Sequence, residues 1–243
     1  GTFRIYGQGE GTMYASHEVH GGLIEGVHTT QMATEVIDGQ TYWYADFDYD
    51  PGSDDNVNLK ISDMDGENYI RDLALVHHDH LDHHRAGEIF NPDLIADLAP
   101  YETLRFLNWM KANQYEQAED GTSADPERRY LTPDDYNFNT RHGMGGKVDR
   151  ENYFLSSAPF EHIIALANET DSNAWVNLPV DITDARVAWM ADYAAANLDD
   201  GLEITWEYGN ELWSGARGFM SSQYAQTMAE RTFGIEGWNG IVE

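Results

Sequence analysis

The sequence predicts an α/β fold: about four (β/α) barrel-type units, the first half of a barrel, preceded by a β-rich N-terminal segment. Three observations carry this. Residues 1–68 alternate short apolar–polar runs with Gly, Asp and Asn clusters, the texture of strands joined by turns. From residue 69 onward, apolar runs of strand length are followed by segments with helical periodicity, four times over. The fourth run ends in Asn210-Glu211-Leu212-Trp213, polar and aromatic groups side by side at a strand end. The expected domains are therefore residues 1–68 and residues 69–243.

In the first segment, residues 2–6, 40–44 and 57–61 read as strands. Residues 69–76 supply the first strand of the expected barrel. A short helix follows over 91–98, with Asn91 as N-cap and Pro92 at the first helical position. Residues 103–107 form the second strand, and residues 115–150 are a long polar loop. Residues 159–168 are helical and 174–179 form the third strand. Thr183 caps a helix over 184–198, where Val187, Met190 and Ala194 share one face. Residues 202–208 form the fourth strand, and a last helix covers 219–232.

Acidic residues number 43 against 14 basic ones, a net charge of −29, and only Lys60, Lys111 and Lys147 are lysines. A field of that sign repels nucleic acid and anionic membrane surfaces. The acid is spread along the chain, which favours a salt-adapted surface over a dedicated cation site. With no cysteine, thiolate metal sites and cysteine nucleophiles are excluded. No apolar run approaches the roughly 20 residues of a membrane span, so no membrane insertion is expected.

Several segments in one order carry a family resemblance: Asn68-Tyr69-Ile70-Arg71-Asp72, Glu88-Ile89-Phe90-Asn91-Pro92, residues 104–110, residues 164–169, residues 174–179 and residues 206–213. Together they resemble secreted bacterial proteins related to the clan A glycoside hydrolases, over roughly residues 57–235. The resemblance implies an extracellular protein acting on a polysaccharide. It implies Glu211 as general acid/base at the end of the fourth strand and Asn210 as the holder of a sugar hydroxyl. In that clan the nucleophile ends a seventh strand, and about four units do not include one. The alternative in a different class is a non-catalytic glycan-binding or structural component of an extracellular assembly.

Other candidates surround that strand end. Glu207 shares strand parity with Glu211 and is expected to support it by hydrogen bonding rather than to act as nucleophile. Arg105 is positioned to pair with a catalytic carboxylate. Trp109 and Trp213 offer flat faces for sugar rings, with core packing equally open for Trp109. Asn177 ends the third strand at the same rim.

A rival motif is His77-His78-Asp79-His80-Leu81-Asp82-His83-His84, in which residues 78–83 match the His-x-His-x-Asp-His pattern of metallo-β-lactamase-like metallohydrolases. Its weak metal candidates are His78, His80, Asp82 and His83, with His142 and His162 further along. A solvated loop, binding zinc at most adventitiously, is the preferred expectation, and no cofactor is otherwise expected. The acidic turns at 46–55 and 62–66 resemble calcium loops, but the first has Val57 where the twelfth-position Glu belongs.

Overall fold

A computed structural model describes residues 1–17, 21–50, 57–113, 119, 158–214 and 220–234. The chain divides into two compact units, one over residues 1–92 and one from residue 93 onward.

The first unit is built from β1 (Thr2–Gln8), β2 (Thr12–His17), β3 (Gly21–His28), β4 (Ala33–Ile37), β5 (Gln40–Asp48), β6 (Val57–Ser62) and β7 (Arg71–His77), with a short helix α1 (Leu81–Arg85). Two antiparallel sheets form, ordered β4-β5-β1-β7 and β3-β2-β6. Alternation places Ile5, Met13, Ala15, Ile24, Trp43, Phe47 and Ile70 in one shared core. The β4–β5 hairpin turns on Asp38-Gly39, both at positive φ (49° and 76°), the two-residue chemistry whose twist matches the flanking strands. Gly7 is required for packing: a Cβ there would lie 2.3 Å from the Trp43 ring. That ring in turn donates Nε1–H to the Gly9 carbonyl at 2.9 Å.

An ion-pair network lies across the first of these sheets. Arg4 grips Asp46 through two nitrogens at 2.7 and 2.8 Å and reaches Glu35 at 3.2 Å. Arg85 of α1 meets Glu35 at 2.6 Å, and the Tyr6 hydroxyl donates to the same carboxylate at 2.8 Å. Hydrogen bonding from Arg85 holds the Glu35 carboxyl below its ordinary range, against burial; Arg4 does the same for Asp46.

The second unit contains α2 (Pro92–Leu98), β8 (Thr103–Arg105), α3 (Phe160–Thr170), β9 (Asn173–Leu178), α4 (Asp184–Asn197), β10 (Ile204–Tyr208) and α5 (Met220–Phe233). Its three strands are parallel, ordered β10-β9-β8. Paired residues fall on common faces, so Leu104, Ala174, Val176 and Leu178 form one buried apolar face. Helix α3 packs against β9 and α4, bringing buried Ile163, Ile164 and Ala167 to this unit's core. Thr183 caps α4 by accepting the Arg186 N–H at 3.2 Å. Asn168 ties the ends of α3 and α4 together, donating to Asn197 O at 2.8 Å and accepting from Asp199 N at 3.0 Å.

The expected barrel half is corrected here. The strand expected to open it, β7, pairs antiparallel with β1, with Phe3 opposite His77 and Ile5 opposite Leu75. The described parallel strands number three and form an open sheet rather than a closing wall, and the remaining sheets are small and antiparallel. The physical reason lies in the run Leu73-Ala74-Leu75-Val76. A continuous apolar stretch marks a strand without saying which neighbour it takes or in which direction. Here the Phe3 ring, edge-on to His77 at 5.0 Å, and the Leu73 contact with the shared core favour β1.

Candidate functional site: the polar face of the parallel sheet

The face of the parallel sheet opposite its apolar core carries Thr103, Arg105, Asn173, Trp175, Asn177, Thr205 and Glu207, by register. Of these, Arg105, Asn177 and Glu207 stand at or next to the carboxyl ends of their parallel strands, where ligands of open α/β sheets bind.

Glu207 is the centre. Its Oε2 accepts from Arg105 Nη2 at 2.8 Å, from Asn177 Nδ2 at 2.6 Å and from Trp175 Nε1 at 2.8 Å. Burial is the largest single influence on this carboxyl and opposes its charge. The donors from Arg105, Asn177 and Trp175 together outweigh it and hold Glu207 below the ordinary glutamate range. The Arg105 guanidinium also lies 4.7 Å from the Trp175 ring centroid, a cation–π contact. Trp175 is 38 % exposed.

Arg105 Nη2 has a second acceptor, Asn210 Oδ1, at 2.9 Å. Asn210 is only 4 % exposed, and its Nδ2 donates to Asn113 Oδ1 at 3.0 Å. The Ser221 hydroxyl donates to the Asn210 carbonyl at 3.2 Å. Asn210, expected to hold a sugar hydroxyl, has both ends of its amide tied to protein partners. Asn177 is fully buried; its Nδ2 also donates to Gly209 O at 3.0 Å, while Oδ1 has no hydrogen-bond partner among the described residues.

Glu211 follows at the strand end, half-buried, with φ at 51°. A left-handed backbone is costly for a glutamate, and such strain gathers at functional sites. Its carbonyl accepts the Ser214 N–H at 2.8 Å, closing a turn. Its carboxyl makes no hydrogen bond among the described residues. Trp213 is 73 % exposed. Trp109 instead packs edge-on against Phe106 at 5.3 Å and is half-buried. The arrangement thus joins Arg105, Asn177, Glu207 and Asn210 into one network, leaves Glu211 at its edge, and gives Trp109 a packing contact.

Two members were absent from the sequence reading. Trp175 was detectable, because it shares parity with Asn177 on one strand. Asn113, in the turn after β8, carried no signal.

The histidine cluster is distributed differently. His78 Nε2 lies 3.1 Å from Asp46, Asp82 pairs with Arg85 at 2.8 Å, and His83 Nδ1 meets Glu88 at 2.6 Å. The His80 ring lies 5.9 Å from that of His77 and 6.2 Å from that of His83. Among the described residues, no three His, Asp or Glu side chains are grouped so as to hold a metal ion. His162 lies on α3, and His142 falls outside the described residues. Of the two acidic turns, Asp46 is committed to Arg4 and Asp48 accepts from Thr2 at 2.7 Å, while residues 51–56 lie outside the described set. Asp65 Oδ1 caps the other turn, accepting from Glu67 N at 2.8 Å. No helix among the described residues is long and apolar enough to cross a membrane.

No family model, no curated protein and no solved structure matches this chain.

Proposed function

We propose that this chain is a secreted, salt-adapted protein that acts on an extracellular polysaccharide at the carboxyl ends of β8, β9 and β10. In this reading Glu211 is the general acid that protonates the leaving glycosidic oxygen. The observation that carries it is the unlike condition of two carboxyl groups at one strand end. Glu207 is held toward its charged form by three donors from β8 and β9, whereas Glu211 is set in a strained backbone with no such donors among the described residues. Exposed Trp213 supplies a face for the apolar side of a pyranose. The acidic chain, at −29, disfavours nucleic acid as the polymer.

A non-catalytic, glycan-binding protein is the second reading, and one observation favours it: Glu207, the other carboxyl of the site, is already engaged in an ion pair with Arg105. Both readings are tested by incubating the chain with a panel of β-linked polysaccharides, assaying reducing ends and measuring retardation in glycan-containing gels. Catalysis predicts reducing ends from the wild type, none from Glu211→Gln, and equal retardation of both. Wild-type retardation without hydrolysis selects the binding reading. Neither retardation nor hydrolysis removes the polysaccharide assignment altogether.

A further inference from the structure

We propose that Asn113, in the turn after β8, is a positioning residue of this site, acting through Asn210 and Arg105 to hold Glu207 in place. The inference rests on the polar sheet face being the functional site and adds a residue that its chemistry alone does not require.

Donor logic fixes the chain of contacts. Arg105 only donates, so the Asn210 atom at 2.9 Å from Nη2 must be the oxygen. The Asn210 NH₂ then faces Asn113, whose atom at 3.0 Å must be an acceptor. Each amide orientation thus follows from the permanent cation at one end. Nη2 carries two protons, one for Glu207 Oε2 and one for Asn210 Oδ1, so the Asn210 contact sets the rotation of the guanidinium relative to Glu207. The far end is anchored as well, because the Asn113 carbonyl accepts the N–H of Met220, the first residue of α5, at 2.9 Å. Asn113 therefore links the turn after β8, the start of α5 and the end of β10. Without its side-chain acceptor, the Asn210 amide is held from one end only, by Arg105, and its grip on the guanidinium loosens.

The test is the titration midpoint of the Glu207 side-chain carboxyl, followed by carbon-detected NMR on the full chain without any glycan. Asn113→Ala should shift the midpoint upward. Asn108→Ala, in the exposed part of the same turn, should leave it in place. A merely structural Asn113 would lower the melting temperature without moving the midpoint, and that result, or an unmoved midpoint in a fully stable variant, overturns the proposal. If Asn113→Ala fails to fold, Asn113→Ser, whose shorter hydroxyl falls short of Asn210, is read by the same criterion. Because the titration uses no glycan, its failure is distinct from a failure of the polysaccharide reading, which glycan retardation of the wild type decides.

Discussion

Arg105 and Glu207 bridge the outer strands of the parallel sheet over the middle one, with Nη2 2.8 Å from Oε2. Two strand spacings amount to roughly 9.5 Å, so both side chains must lie across the sheet rather than stand off it. Trp175 and Asn177 of the middle strand take up the space beneath and donate to the same oxygen. The bridge therefore needs residues from all three strands.

The first prediction concerns that bridge. Arg105→Ala leaves Glu207 with two neutral donors, so its midpoint rises toward the ordinary glutamate value of 4.5. Both partners are about one-third exposed, so solvent screens the pair and the loss of stability is about 1 kcal/mol or less. A folded-state pKa below the unfolded one stabilises fully above the unfolded value, and the benefit is lost as pH falls through the folded value. The wild type should thus lose this contribution below about pH 4.5, and Arg105→Ala should lose little there. Urea titrations at pH 7 and at acid pH check both statements.

A second prediction concerns the support beneath the site. Ile164 is 1 % exposed on α3 within the core of the second unit. Removing its side chain leaves a cavity, at a cost of about 2–5 kcal/mol. Trp213→Ala, at an exposed position, should stay within about 0.5 kcal/mol of wild type. Thermal melts of the two variants should therefore separate clearly, and equal melting temperatures would contradict the described core.

Parts of this arrangement were legible in the sequence for physical reasons. Strand parity singled out Glu207, the end of an apolar strand run marked Asn177, and Thr183 and Pro92 marked helix starts through hydrogen bonding and φ alone. Three further features were not. The run at residues 73–76 names a strand but not its partner, and the choice of β1 was made by Phe3 and the core of the first unit. The contact of Asn113 with Asn210 spans 97 residues, and nothing local in a turn specifies it. The histidine run was likewise ambiguous, because the partners of its side chains include Asp46 and Glu88 as well as residues within the run.

A third prediction uses pH. His84 packs 4.9 Å from the Tyr6 ring, and burial pushes its pKa below 6.5; the nearby Glu35 charge opposes this and Arg85 reinforces it. The unfolded chain then binds a proton at a higher pH than the folded one. Stability is full above pH 6.5 and falls as pH drops from there toward the folded pKa. His84→Gln should flatten that part of the stability–pH curve, leaving the steeper loss at carboxylate pH, where Glu35 and Asp46 are protonated. Urea midpoints measured at intervals from pH 7.5 to 5 test this, and an unchanged slope in the variant would refute it.

The last prediction separates strain from chemistry at Glu211. Its φ of 51° costs a glutamate about 1 kcal/mol, which asparagine tolerates better and glycine does not incur. Glu211→Asn should therefore stabilise the chain by a fraction of a kcal/mol. Glu211→Gly should lie between no change and a similar gain, since relief of strain is offset by about 0.4–1 kcal/mol of added freedom in the unfolded chain. Glu211→Gln retains the strain and should melt with the wild type. All three remove the carboxyl, so all three should abolish hydrolysis if Glu211 is the proton donor. A residue kept at a cost in stability and needed for turnover matches the exchange expected at a functional site. Loss of more than about 1 kcal/mol in the glycine variant would show that the glutamate side chain holds the turn, and would remove the strain argument for its role.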